Sequence, residues 1–272
     1  MTMKVGVSTA SLFMRRNNED TLPLFNQLGV KTAEIFLTSF SEYGEDFARI
    51  LKERKGEVFV NSVHILNSQI EPQLFSAHER VKGDSFALLD KVLSGAKLLG
   101  APYYTFHGTA RYKKAARDAK NDNFDKMGLG LREIFDFCQK YNVTLCLENV
   151  EWSTYNRVGV FSALKNYVPN LRGVLDVKQA RIAGEGYERY LDEMGESLAY
   201  AHISDVDENG RICLPGQGAF DFDTLIKRLQ GVGFDGSLLI EVYKEDYQDE
   251  AQLKTACDYV AERLYKHGVL TP

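Results

Sequence analysis

Short runs that are apolar nearly throughout alternate along this chain with longer stretches whose apolar positions recur every three to four residues. The runs are KVGVS (4–8), TAEIFL (32–37), EVFVNSVHI (57–65), PYYTFHG (102–108), VTLCLEN (143–149), RGVLDV (172–177), LAYAHIS (198–204) and GSLLIEV (236–242). A helix-patterned stretch follows each of them, and the longest of these stretches, through Leu99, stops at Gly100 as a helix C-terminus does. The runs do not alternate polar with apolar residues, which is the pattern of parallel strands covered on both faces. With no Pro- or Ser-rich linker between them, they predict one α/β domain over residues 1–272, a (β/α)8 TIM barrel. A doubly wound open sheet would usually have fewer strands at this length.

Composition narrows the function classes. A net charge of −5 argues against a general nucleic-acid binder, which normally carries a basic face. No segment is long and apolar enough to predict a membrane span, and the N-terminus enters a strand-like run without an apolar signal core. Cys138, Cys146, Cys213 and Cys257 form no C-x-x-C pair, the usage expected of reduced thiols. The expectation is a cytoplasmic protein with a small-molecule partner, no nucleic-acid or membrane partner, and room for a homo-oligomer.

In a TIM barrel the chemistry sits at the C-terminal ends of the strands. Runs five to eight end in Glu148, Asp176, His202 and Glu241. One carboxylate there reads as a helix cap or an ion pair, but four consecutive strands ending in residues able to hold a metal make coincidence a poor explanation. Three carboxylates and an imidazole form an oxygen-rich set suited to one divalent ion, Mn²⁺ first, with Mg²⁺, Co²⁺ or Zn²⁺ allowed. Such an ion polarises a carbonyl and makes the neighbouring C–H acidic.

With TAEIF, ALLDKVLSGAKLLGAPYYTFHG, LCLEN, GVLDV, AHISD, LPGQGAFDF and LLIEV in this order, the chain resembles the xylose-isomerase-like barrels of the sugar phosphate isomerase/epimerase superfamily. The resemblance covers nearly the whole chain and is closest in pattern to the ketose 3-epimerases. It implies a sugar or sugar phosphate substrate, Glu148, Asp176, His202 and Glu241 as metal ligands, and Glu148 and Glu241 as the two groups that exchange a proton beside a metal-bound ketose carbonyl. The same site in a lyase would dehydrate a keto-inositol or a dehydroshikimate-type ring. A non-catalytic sugar-binding barrel is the alternative from another class, although binding alone needs no acid/base pair. Relatives that act on apurinic DNA carry a histidine three residues after the strand-six aspartate and a D-x-H pair before the turn after strand seven. This chain has Gln179 at the first position and Gly210 and Ile212 at the others, so that role is not expected.

The resemblance also suggests substrate contacts. His64 and His107 end strands three and four, where they either bond substrate hydroxyls or belong to the barrel rim. Glu34 ends the second run, where it either bonds a hydroxyl or orients a neighbouring side chain. Trp152 follows strand five and offers an apolar wall for a sugar, or ordinary loop packing. Arg211 lies in the long polar segment DVDENGRICLPGQG, expected to close over the pocket and hold substrate oxygens; its alternative is a solvated loop arginine. The basic run RYKKAARDAK (111–120) is either a solvated helix face or a phosphate-grasping lid. His78 and His267 read as surface residues.

Overall fold

The computed structural model describes residues 2–66, 70–109 and 124–270. Eight strands close into a parallel barrel: β1 (Lys4–Ser8), β2 (Thr32–Leu37), β3 (Phe59–Ile65), β4 (Tyr103–Phe106), β5 (Thr144–Glu148), β6 (Arg172–Asp176), β7 (Leu198–Ile203) and, last in the chain, β10 (Ser237–Ile240), which pairs with both β7 and β1. Two further short strands, β8 (Asp205–Val206) and β9 (Ile212–Cys213), form an antiparallel hairpin above β7. The TIM barrel expected from the sequence is therefore present. Several strands are shorter than their apolar runs. Val177, for example, begins a helix because the Asp176 carboxylate caps it, and Glu241 extends the β7 pairing by one bond, Glu241 N to Ile203 O at 3.0 Å.

Helices α1 (Asn18–Leu28), α2 (Glu45–Arg54), α3 (Glu79–Leu99), α4 (Phe124–Gln139), α5 (Val160–Lys165), α6 (Val177–Ile182), α7 (Tyr187–Met194), α8 (Phe222–Gly231) and α9 (Ala251–Lys266) connect the strands. In α3 the residues Leu89, Val92, Leu93, Ala96 and Leu99 are buried, the three-to-four spacing of one helix face. The helix ends where Gly100 takes φ +75°, a left-handed cap that costs glycine nothing.

The two faces of β5, β6, β7 and β10 enter different cores, which is why these runs look apolar throughout. Leu145 and Leu147, Leu175, Ala201 and Ile203, and Leu238 and Ile240 join the large cluster that packs with the helices. Cys146, Val174, Tyr200 and Leu239 belong to a second, smaller cluster on the opposite face, inside the barrel. Side chains on a strand repeat every two residues. The inner face therefore rises from Cys146 to Glu148, from Val174 to Asp176, from Tyr200 to His202 and from Leu239 to Glu241.

Candidate active site

Register fixes the heights of these four side chains. Asp176 pairs directly with His202, Glu148 pairs with Val174 just below Asp176, and Leu239 pairs with His202, so Glu241 stands one pleat above. Asn149 secures the strand-five/strand-six step. Its amide donates to the Asp176 carbonyl at 2.9 Å and accepts from the Asp176 N–H at 2.8 Å, imitating a neighbouring strand. One ligand atom each from Glu148, Asp176, His202 and Glu241 can be chosen so that all lie within 4.8 Å of one another.

The orientations of these groups are specific. His202 Nδ1 is 2.8 Å from Glu148 Oε1 and 3.4 Å from Glu241 Oε2. Asp176 uses Oδ1 to accept the Gln179 N–H at 2.8 Å, the cap of α6. Asp176 Oδ2 and Glu241 Oε2 are buried and accept no hydrogen bond. Buried carboxylate oxygens without a hydrogen-bond donor are costly unless a cation meets them closely, so this donor set fits a divalent ion with mostly oxygen ligands. Burial pushes the Asp176 carboxyl up; Lys178 opposes this, Glu148 and Glu241 add to it, and the group reaches about 7. Burial acts in the same sense on Glu148, but the His202 and His107 imidazoles outweigh it and hold Glu148 well below the usual carboxylate range.

Behind His202 lies a polar layer contributed by the other half of the barrel. Glu34 is fully buried and accepts from Ser8 Oγ (3.0 Å), Ser62 Oγ (2.7 Å) and Thr105 Oγ1 (2.5 Å), with His202 Nε2 at 3.0 Å and His64 Nδ1 at 3.6 Å. Glu34 thus stands on the Nε2 side of His202, surrounded by hydroxyls of three other strands. Sequence reading missed a comparable support, Glu71. It is fully buried, accepts from Tyr104 Oη and from the His107 and Gly108 N–H groups, and lies 3.3 Å from His107 Nδ1. Burial lowers the His107 pKa, but Glu71 and Glu148 on its two sides raise it to about 10.

A cleft of about 150 Å³ opens on these groups. Its walls include Phe36, His64, His107, Trp152, Lys178 and Tyr243. His64 and His107 meet through their Nε2 atoms at 3.0 Å, and the Trp152 ring lies 5.3 Å from that of His107. Gln179 also lines the cleft, its amide oxygen accepting the Glu151 N–H at 3.3 Å. Lys178 was not anticipated.

Arg211 is not brought to the cleft. The segment expected to close over the mouth is the β8/β9 hairpin, and Arg211, whose side chain is 76 % exposed, bonds Asp207 through Nε at 3.0 Å. The hairpin is anchored by Asp205, which is 1 % exposed and accepts the N–H groups of Val206, Gly216, Gly218 and Phe220. Gly218 has to be glycine here, because a Cβ would lie 2.2 Å from the Val206 carbonyl oxygen. The basic run 111–120 lies outside the described residues. His78 caps α3 at the surface, whereas His267 is half-buried and bonds Asp223 at 2.9 Å. No described helix is long and apolar enough to cross a membrane.

Comparison with known proteins agrees with this architecture. The model of the xylose isomerase-like TIM barrel family matches residues 23–263. The L-ribulose-5-phosphate 3-epimerase UlaE of Shigella flexneri is 23 % identical over 265 residues, covering 92 % of this chain and 91 % of that protein. A D-psicose 3-epimerase structure from Clostridium cellulolyticum H10, with D-tagatose, superposes with a TM-score of 0.76 at 17 % identity, covering 99 % of this chain and 100 % of the other. An L-ribulose 3-epimerase structure gives 0.77 at 17 % identity, covering 98 % and 95 %. At these identities the structural likeness speaks for the fold.

Proposed function

This chain belongs to the xylose isomerase-like TIM barrel family, and from that membership we propose that it is a divalent-metal-dependent epimerase of a ketose or ketose phosphate. The observation that carries the reading is the set of buried carboxylate oxygens without a hydrogen-bond donor, Glu148 Oε2, Asp176 Oδ2 and Glu241 Oε2, in one cluster with His202. The names of the relatives agree with it, among them two 3-epimerases of ribulose or its phosphate.

Glu148, Asp176, His202 and Glu241 would hold the ion, with Mn²⁺ the expected choice. When bound, it supplies Lewis-acid polarisation of the substrate carbonyl, which makes the adjacent C–H acidic. The protein supplies the rest. Glu148 ends β5 and Glu241 directly follows β10, strands separated in the barrel by β6 and β7, and so the two approach a substrate between them from different sides. One carboxylate removes the proton next to the carbonyl, and the other returns a proton to the opposite face, inverting that carbon. Asp176 would serve only as a ligand, with its Oδ1 tied to α6 by the Gln179 N–H. Glu34 holds His202 by Nε2, so that Nδ1 faces inward. His64 and His107 offer ring nitrogens to substrate hydroxyls, and Trp152 offers a wall to its carbon face.

The test is incubation of the protein with Mn²⁺ and a panel of ketoses and ketose phosphates, followed by NMR. An epimer at the carbon beside the carbonyl supports the reading. Loss of water assigns a dehydratase instead, and no change across the panel assigns a binding barrel. Metal analysis after chelation and reloading should give one ion per chain; a value near three contradicts the site.

A further inference from the structure

Lys178 is an unusual residue to find in this site. It lies in the first turn of α6, two residues after Asp176, and is only 3 % exposed. A buried ammonium has three donors and is costly to leave without partners. Among the described residues its one hydrogen bond is to Glu241 Oε1 at 3.4 Å, with Asp176 Oδ2 further away at 3.9 Å. The Tyr243 ring covers another side, 4.4 Å from Nζ to its centroid. A lysine acting only as a counter-ion closes on a carboxylate to about 2.7–2.9 Å. Lys178 stands back from both carboxylates while lining the cleft, so donor capacity remains for something that enters it.

We propose that Lys178 provides an oxyanion subsite: its ammonium binds the substrate oxygen that gains negative charge when the neighbouring C–H proton leaves. The inference rests on the ketose chemistry proposed above and adds a residue to it. Lys178 keeps its proton throughout and donates a hydrogen bond. The electron pair freed from the C–H bond moves onto the former carbonyl oxygen, which the ammonium faces, and returns to carbon when the second glutamate delivers its proton. Placing a fixed donor where charge develops lowers the barrier without reorganisation at the moment of reaction. The ligand class is a planar anion with two adjacent oxygens.

The experiment compares wild type, Lys178→Met and Lys178→Arg, each chelated and reloaded with Mn²⁺. Calorimetry measures Mn²⁺ binding and then binding of glycolohydroxamate, whose two adjacent oxygens copy an enediolate. We expect one Mn²⁺ per chain in all three proteins and a glycolohydroxamate affinity about 10- to 100-fold weaker in Lys178→Met, the scale of one charged hydrogen bond. Lys178→Arg should fall between, because a guanidinium keeps the charge with a different donor geometry. Probe affinity within threefold of wild type in Lys178→Met overturns the subsite, as does a wild type that does not bind the probe. Loss of Mn²⁺ from Lys178→Met assigns the lysine to the metal centre and also overturns it. Wild-type turnover of ketoses is followed in parallel. Lysine-dependent probe binding without turnover keeps the subsite and removes the epimerase reading; turnover with unchanged kcat, KM and probe affinity in Lys178→Met does the reverse.

Discussion

Replacing Glu34 by Gln changes the support of the site without altering its shape. The carboxylate meets two sets of donors: Oε1 faces Ser8 Oγ and His202 Nε2, and Oε2 faces Ser62 Oγ and Thr105 Oγ1. A glutamine amide has one acceptor end and one donor end. Serine and threonine hydroxyls rotate and can accept, whereas an Nε2–H cannot, so the amide nitrogen should turn toward Ser62 and Thr105. His202 Nε2 then faces a neutral amide oxygen in place of a carboxylate, and its Nδ1 becomes a weaker base. Loss of such a partner behind a metal-binding histidine typically costs about 10- to 100-fold in metal affinity. Glu34→Ala should do worse, leaving an imidazole and three hydroxyls facing a buried void, a destabilisation of about 3–5 kcal/mol. The assay is calorimetric Mn²⁺ titration of the chelated protein with no sugar present, paired with urea unfolding. Glu34→Gln should unfold close to wild type and bind Mn²⁺ at least tenfold more weakly. Unchanged Mn²⁺ affinity with a raised KM would refute the reasoning and return Glu34 to a substrate contact.

Three further outcomes follow from the same geometry. Glu241→Gln should fold normally and lose turnover by about 10²–10⁴-fold, since the amide cannot take up a proton; steady-state kinetics within a few-fold of wild type would remove the two-glutamate mechanism. Asp205→Asn presents an NH₂ group to two of the four backbone N–H donors and should lower stability by about 3 kcal/mol in urea unfolding, with an unchanged midpoint counting against the anchor. Arg211→Ala, at an exposed hairpin position, should leave kcat/KM within a few-fold of wild type, and a loss of tenfold or more would show that the hairpin swings inward on substrate binding.

The barrel was legible because the strands are buried on both faces, so eight runs stand out even though several were read one to three residues too long. The gathering of Glu148, Asp176, His202 and Glu241 into one cluster was legible for a related reason. A polar residue two positions beyond an inner-face residue such as Val174 or Tyr200 is still on the inner face, at the rim. Lys178 was not visible, because it lies on a helix rather than a strand and reaches the site only through the tight turn capped by Asp176. Glu71 was hidden in a 3₁₀ turn far from His107 in sequence. The hairpin read as a polar loop, since its order depends on one aspartate collecting N–H groups up to fifteen residues away. Arg211 was placed by its position in the loop, and the turn geometry directs it to Asp207 instead.

The most direct test of the central claim is the isotopic content of the product when the Mn²⁺-loaded enzyme turns over a ketose in D₂O. Proton exchange through two glutamates predicts an epimer carrying deuterium at the inverted carbon from the first turnovers, while unreacted ketose stays unlabelled. An epimer that keeps its original hydrogen would mean that the hydrogen never reached a carboxylate in exchange with solvent, and would contradict the account.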